Sequence, residues 1–212
     1  MLPCDELRPI LADLFLPCRG FQWPCSGSVR WEPSEGHVPR AFRGAIGKAS
    51  DVRLILVCAE PGNPFTVESY PSGASPTEYL QVVSQVGWHH LEHPTDQFAR
   101  NIRAILNLAW PGMGFEEQMA RTWLTNSVLC SAAFEGAAVP VAVENECGSR
   151  YLARQVAVFP GARIVALGGK AQRRLARLGI PFRPAFAAAP PGSNFRGAIE
   201  SWRRAVEGLT PH

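Results

Sequence analysis

The chain has 212 residues, 46% of them hydrophobic, with 21 basic against 18 acidic side chains and a formal net charge of +3. A chain of that length and apolar content can bury a substantial core, while its longest apolar runs fall well short of a bilayer span, which excludes a membrane-spanning class. Lysine occurs only at Lys48 and Lys170, so nearly all the positive charge is guanidinium, the group that grips phosphate bidentately; a charge of +3 permits nucleic-acid binding without demanding it. The first residues, among them Pro3, Cys4, Asp5 and Glu6, are unlike a basic then apolar signal sequence, and a soluble cytoplasmic monomer is the expectation.

In chain order, residues 3–16 predict a short helix with Leu7, Leu11, Leu14 and Phe15 on one face. Cys18 to Lys48 is rich in Pro, Gly, Ser and Arg and reads as irregular chain over the core surface, so that residues 1–49 form an extension and 50–212 the main α/β domain. Leu54–Val57 is an apolar run without alternation, as in a parallel strand covered on both faces, and it stops at Pro61-Gly62. A second irregular region around Tyr70-Pro71-Ser72-Gly73 leads into a weakly helical run at Tyr79–Val86, and HHLEH, with His89, His90 and His93, reads as a solvated loop rather than a metal site.

Thr95 or Asp96 caps the next helix, which carries Phe98, Ile102, Ile105, Leu106 and Ala109 and ends at Pro111-Gly112. Thr122–Leu129 predicts a second strand, and a helix from about Glu144 stops at Pro160-Gly161. Ile164–Leu167 predicts a third strand. Gly168-Gly169 turns it into a helix through Leu175, Phe182–Ala188 predicts a short fourth strand, and Asn194 caps a last helix. Strands alternating with helices predict a three-layer α/β/α fold around a central four-stranded parallel sheet, whose strand ends at Ala59-Glu60, Asn126 and Ala188–Pro191 converge on one edge.

VCAEPGNP after the first strand, LTNSVLC after the second, IVALGGKA after the third and APPGSNFRG before the last helix resemble, in order and spacing, the uracil-DNA glycosylase superfamily over about residues 50–207. That resemblance implies a monofunctional hydrolase in base-excision repair that flips uracil out of single- or double-stranded DNA and breaks its N-glycosidic bond. It puts Glu60 where the water is held or activated, Asn126 against the pairing edge of the base, and Tyr70 or Phe65 against its face, with Ala59 and Gly62 lining the same site. The superfamily's third motif commonly has a His where this chain has Ala189. Leaving-group stabilisation then falls to backbone amides or to Ser193 and Asn194. Gly168, Lys170, Gly192, Phe195 and Arg196 are expected at the DNA, with Phe195-Arg196 as the wedge.

The chemistry implied requires no cofactor. Cys130 and Cys147 resemble the C-terminal pair of iron–sulfur ligands of the cluster-bearing microbial branches, and Cys18 and Cys25 are the residues to supply the other pair of a 4Fe–4S cluster; free thiols are the alternative. Two other functions remain open: a module of the same fold that binds uracil or abasic DNA without turnover, and a nucleotide-binding protein using Gly168–Lys170, although that GGK has neither the upstream Gly nor the following Ser or Thr of a phosphate loop.

Overall fold

The computed structural model describes residues 1–16, 18, 21, 23–65, 68–134 and 136–209. Eight α-helices and five strands are found among them: α1 Arg8–Ala12, β1 Arg43–Gly44, β2 Leu54–Cys58, α2 Pro76–Glu92, α3 Gln97–Ala109, α4 Phe115–Ala120, β3 Thr122–Asn126, α5 Val141–Cys147, α6 Ala153–Ala157, β4 Arg163–Leu167, α7 Gly169–Arg177, β5 Arg183–Ala185 and α8 Ala198–Val206. No described helix is long and apolar enough to cross a membrane.

The sheet order is β1-β3-β2-β4-β5. β3, β2, β4 and β5 run parallel, and β1 adds an antiparallel edge, pairing Arg43 with Leu124 and Gly44 with Trp123. The four-stranded expectation is thereby corrected to a five-stranded mixed sheet. β1 was missed because two residues are too short for any periodicity, and Gly44, with φ +101, is the sort of residue that reads as loop. A Cβ there would lie 2.1 Å from the Thr122 carbonyl oxygen, so only glycine lets the edge strand close on β3.

Strand alternation builds the layers. Leu54, Leu56 and Cys58 of β2 face one cluster with Ile102, Ile105 and Leu106 of α3, Met119 of α4 and Trp202 of α8. Ile55 and Val57 face the other, with Leu11 of α1, Leu80 and Val83 of α2, Val143 of α5 and Leu175 of α7. Full burial of each such side chain contributes about 1.5–3 kcal/mol, so both faces of β2 must be apolar, and its run without alternation follows. α1 shares a cluster with β2, so the first residues are part of the main core.

Several local expectations shift. Ser75 caps α2 in a reciprocal box with Glu78, and the helix runs through His89 and His90 to Glu92, with His93 as its C-cap; HHLEH is the end of a helix and not a loop. Asp96 caps α3 through Oδ1, which accepts from the Ala99 N–H at 2.7 Å. Helix through 141–157 is interrupted by a π-turn at Gly148–Leu152, where a Cβ on Gly148 would meet Leu178 at 2.8 Å. The last helix begins at Ala198 after Gly197 rather than at Asn194, which lies in a 3-10 turn. Positions 19, 20 and 22 of the stretch 18–48 lie outside the described residues.

Candidate active site

The parallel strands end together at a cavity of about 370 Å³, within the range of small-molecule sites. Its floor carries Cys58, Ala59 and Glu60 from the exit of β2, Asn126 from the end of β3, and Leu167 from β4; Ala187, Ala188 and Ala189 close one wall. Gly62, Phe65 and Tyr70 come from the loop after β2. Six of the residues expected at the base therefore share one cavity, as the convergence of strand ends in an open α/β sheet requires.

Asn126 is 3% exposed, and its Nδ2 has no hydrogen-bond partner. A buried amide donor left unpaired costs about 1–3 kcal/mol, so this donor is available to a group that enters the cavity. Its neighbours are held firmly: the Ala59 carbonyl accepts from Ser127 Oγ at 2.8 Å and from the Val128 N–H at 3.0 Å.

Glu60 is the hub of an ion-pair network. Lys170 Nζ lies 2.5 Å from its Oε1 and Arg174 Nη1 2.6 Å from its Oε2. Arg174, whose side chain is 2% exposed, also donates to Glu144 Oε1 at 2.7 Å and to Ser127 Oγ at 3.1 Å, and Arg177 donates to the other oxygen of Glu144. Burial pushes the Glu144 carboxyl up, but hydrogen bonds from Arg174 and Arg177 outweigh it and hold the group below the ordinary carboxylate range. A carboxylate has about four lone-pair sites, so with a cation on each oxygen Glu60 retains room to orient a water.

The loop after β2 is tied to an arginine that sequence reasoning did not single out. Arg40 donates to Gly62 O at 2.5 Å and to Ser131 Oγ at 2.8 Å, with its Nε 3.4 Å from Glu68 Oε2. Glu68 in turn accepts from the Phe65 N–H at 3.1 Å and the Tyr70 hydroxyl at 2.9 Å. Tyr70 is thus a buried wall with its hydroxyl engaged, and burial together with Glu68 pushes that hydroxyl up from its ordinary value. Phe65 is 42% exposed and meets the His90 ring edge-on at 4.8 Å.

Arg43, His90 and Asp96 were also missed. Arg43 Nη1 donates to His90 Nδ1 at 2.9 Å, and since arginine only donates, the ring proton is on Nε2, which donates to Asp96 Oδ2 at 2.8 Å. Burial, then the adjacent Arg43, pushes the imidazole below its ordinary value, so it is neutral. An Arg inside the apolar FRGAI segment is the one signal that pointed here; nothing local marks the other two.

The remaining expected residues lie elsewhere. Ser193 and Asn194 are not in the cavity lining, so the expectation that they donate to a leaving group there is not supported by their placement. Gly168, expected at the DNA, is outside it too; its N–H donates to Ala185 O at 2.9 Å, and a Cβ at Gly168 would meet Ala187 at 2.9 Å, which is close helix–strand packing. Lys170 is committed to Glu60. A Cβ at Gly192 would likewise meet Ala187, at 2.8 Å. Phe195 is 60% exposed and stacks on Phe186 at 5.8 Å, with Arg196 exposed beside it.

A second, smaller cavity, about 20 Å³, is lined by Cys18, Cys25, Cys130 and Cys147 together with Leu14, Val29 and Tyr151. The Cys25 thiol is hydrogen-bonded to Cys18 and pushed up by that contact and by burial. Burial pushes Cys147 up to about 12 and raises Cys130 as well, with neighbouring thiols adding to both. Among the described residues His89, Glu92 and His93 also gather their ligand atoms within 4.8 Å, on an exposed helix end. Set against known proteins, the chain matches no family model and no curated protein.

Proposed function

We propose that the chain is a DNA glycosylase of the uracil-DNA glycosylase type, hydrolysing the bond between uracil and deoxyribose. The observation that carries the reading is the buried, unpartnered Asn126 amide beside Glu60 in a cavity at the ends of the parallel strands. An amide offers a donor for a uracil carbonyl and an acceptor for the adjacent ring N–H. Phe65 at the mouth and Tyr70 in the wall supply the flat surfaces for the base. Glu60 orients the water and sets a fixed negative charge beside the sugar as it gains positive character. The Phe186–Phe195 stack, with Arg196, forms the apolar and cationic tip that enters the duplex.

Release of free uracil from an oligonucleotide, read as alkali-labile strands, tests this reading. In the active protein Asn126→Asp replaces the donor with an acceptor-only group, and the preference for uracil over cytosine is expected to fall about 10- to 100-fold. An unchanged ratio would make Asn126 structural.

The engagement of both Glu60 oxygens favours a second reading, a module that binds uracil or abasic DNA without turnover; retained binding with no uracil released would establish it. Less supports the nucleotide-binding reading, since the Gly168 N–H is bonded to Ala185 O and the Lys170 ammonium to Glu60.

Donor type and apolar surroundings support a Cys4 group, and we propose that Cys18, Cys25, Cys130 and Cys147 hold a 4Fe–4S cluster, for which the thiols must move apart, since the cavity of about 20 Å³ between them has room for about one water. The cluster would staple the first residues to the β3–α5 region by metal–thiolate bonds. Protein purified without oxygen is expected to absorb near 400 nm, at order of magnitude, and Cys147→Ser to lose that band; a colourless protein with four titratable thiols would overturn the assignment.

A further inference from the structure

Arg43 is the unusual cation of this cavity. The other buried arginines have carboxylates: Arg174 has Glu60 and Glu144, and Arg40 has Glu68. No carboxylate among the described residues lies within ion-pair distance of Arg43, its Nε is buried without a partner, and its one side-chain contact is the neutral His90. Burial pushes the guanidinium down to about 10, which leaves it charged at neutral pH. Glu68 and Asp96 act on it only from beyond ion-pair distance, and a buried charge with no carboxylate in contact is costly, so the cavity it lines is where a closer counter-charge can arrive.

We propose that Arg43, aligned by His90 and Asp96, stabilises the negative charge that develops on the departing base, in place of the His that this chain has as Ala189. The inference rests on the glycosylase reading. Ala189 lines the same cavity and presents only a methyl group, and Ser193 and Asn194 lie outside the lining, so Arg43 is the cationic donor in the cavity without a carboxylate in direct contact, Arg40 being paired with Glu68. In the reaction the bond between the base nitrogen and the sugar C1′ breaks with its electron pair going to the base. A water oxygen bonds to C1′, one of its hydrogens staying as the new hydroxyl and the other reaching the released base through solvent. Arg43 meets the charge on the base oxygen during that separation.

His90 is a positioning residue. Its ring, fixed by Asp96, presents a lone pair to Arg43 and adds no competing charge. Gly87 of α2 also belongs to the device: a Cβ there would lie 3.3 Å from Arg43 Nε, so a side chain at 87 would press on the guanidinium.

The test compares single-turnover excision of uracil and of 5-fluorouracil, a base that carries negative charge more easily, from otherwise identical DNA. Arg43→Gln is expected to slow uracil release by about 10²- to 10³-fold and 5-fluorouracil release much less, with DNA affinity near that of the unaltered protein. His90→Ala and Gly87→Ala, which keep Arg43 but disturb its alignment, should show the same selective loss at smaller size, and they carry the test if Arg43→Gln does not fold. Equal loss on both bases overturns the inference while leaving the glycosylase reading intact. So does weakened DNA binding with an unchanged cleavage step, which would assign Arg43 to a phosphate. An unaltered protein that releases neither base overturns the glycosylase reading, and the inference falls with it.

Discussion

Glu60→Gln is expected to lower uracil excision by about two orders of magnitude or more, measured as the single-turnover rate. The substitution keeps the side-chain length but removes the negative charge that the proposed reaction sets against the sugar and one of the acceptors it uses to orient water. It also leaves Lys170 and the almost fully buried Arg174 short of a partner. Lys170 is partly exposed and is satisfied by solvent, whereas Arg174 keeps Glu144 as its one carboxylate beside Ser127 Oγ, so a loss of about 3 kcal/mol of stability should accompany the loss of activity. Both quantities are needed: a variant as stable as the unaltered protein would mean that the ion pairs contribute little, and one with full turnover would remove Glu60 from the mechanism.

A comparable effect on stability is expected from Arg174→Gln. That one guanidinium joins α7 to the exit of β2 through Glu60, to α5 through Glu144 and to the end of β3 through Ser127. Its removal leaves two nearly buried carboxylates with one partly exposed cation each, Lys170 and Arg177, and a cost of about 3 kcal/mol in urea unfolding at pH 7 is the expected outcome. The pH dependence gives an independent check. Because Glu144 is held below its ordinary value of 4.5, the native state binds fewer protons than the unfolded one between its folded and unfolded values. The unaltered protein therefore has this stabilisation in full above about pH 4.5 and loses it as pH falls through the folded value. In Arg174→Gln the Glu144 carboxyl moves up under burial, and the decline should begin at higher pH. Parallel stability curves from pH 7 to 4 would show that Arg174 does not hold Glu144 down.

The two networks divide the cavity. On one side Glu60 is fixed by Lys170 and Arg174 to the helix after β4, and on the other Arg40 ties Gly62, Glu68 and through it Phe65 and Tyr70 into one frame. The loop after β2 is therefore anchored at its start and further along by salt-linked hydrogen bonds of the stronger, charge-assisted kind. The Asn126 amide lies between these frames as an unpaired donor, which is an arrangement suited to selecting a ligand by its hydrogen-bonding edge.

Much of the architecture was legible in residue pattern alone. Leu54–Val57 and Ile164–Leu167 are apolar without alternation because each lies between helices, Thr122–Asn126 is buried along its whole length despite Thr122, Thr125 and Asn126, and the parallel pairing of these strands brings Glu60 and Asn126 to one edge. The capping of α3 by Asp96 was legible for a similar reason, since a cap is a local contact over three residues. Contacts between distant segments were not. Whether Glu60 stands free or is held by Lys170 and Arg174 depends on how α7 packs against β2, more than a hundred positions away in the chain. The Arg43–His90–Asp96 relay needs a two-residue edge strand, a helix C-terminus and a helix N-cap to meet, and the four cysteines meet only because the first residues fold back beside β3 and α5. Periodicity reports which face of an element is buried, whereas the charge a buried group finds opposite it is decided by which elements become neighbours, and only the tertiary structure decides that.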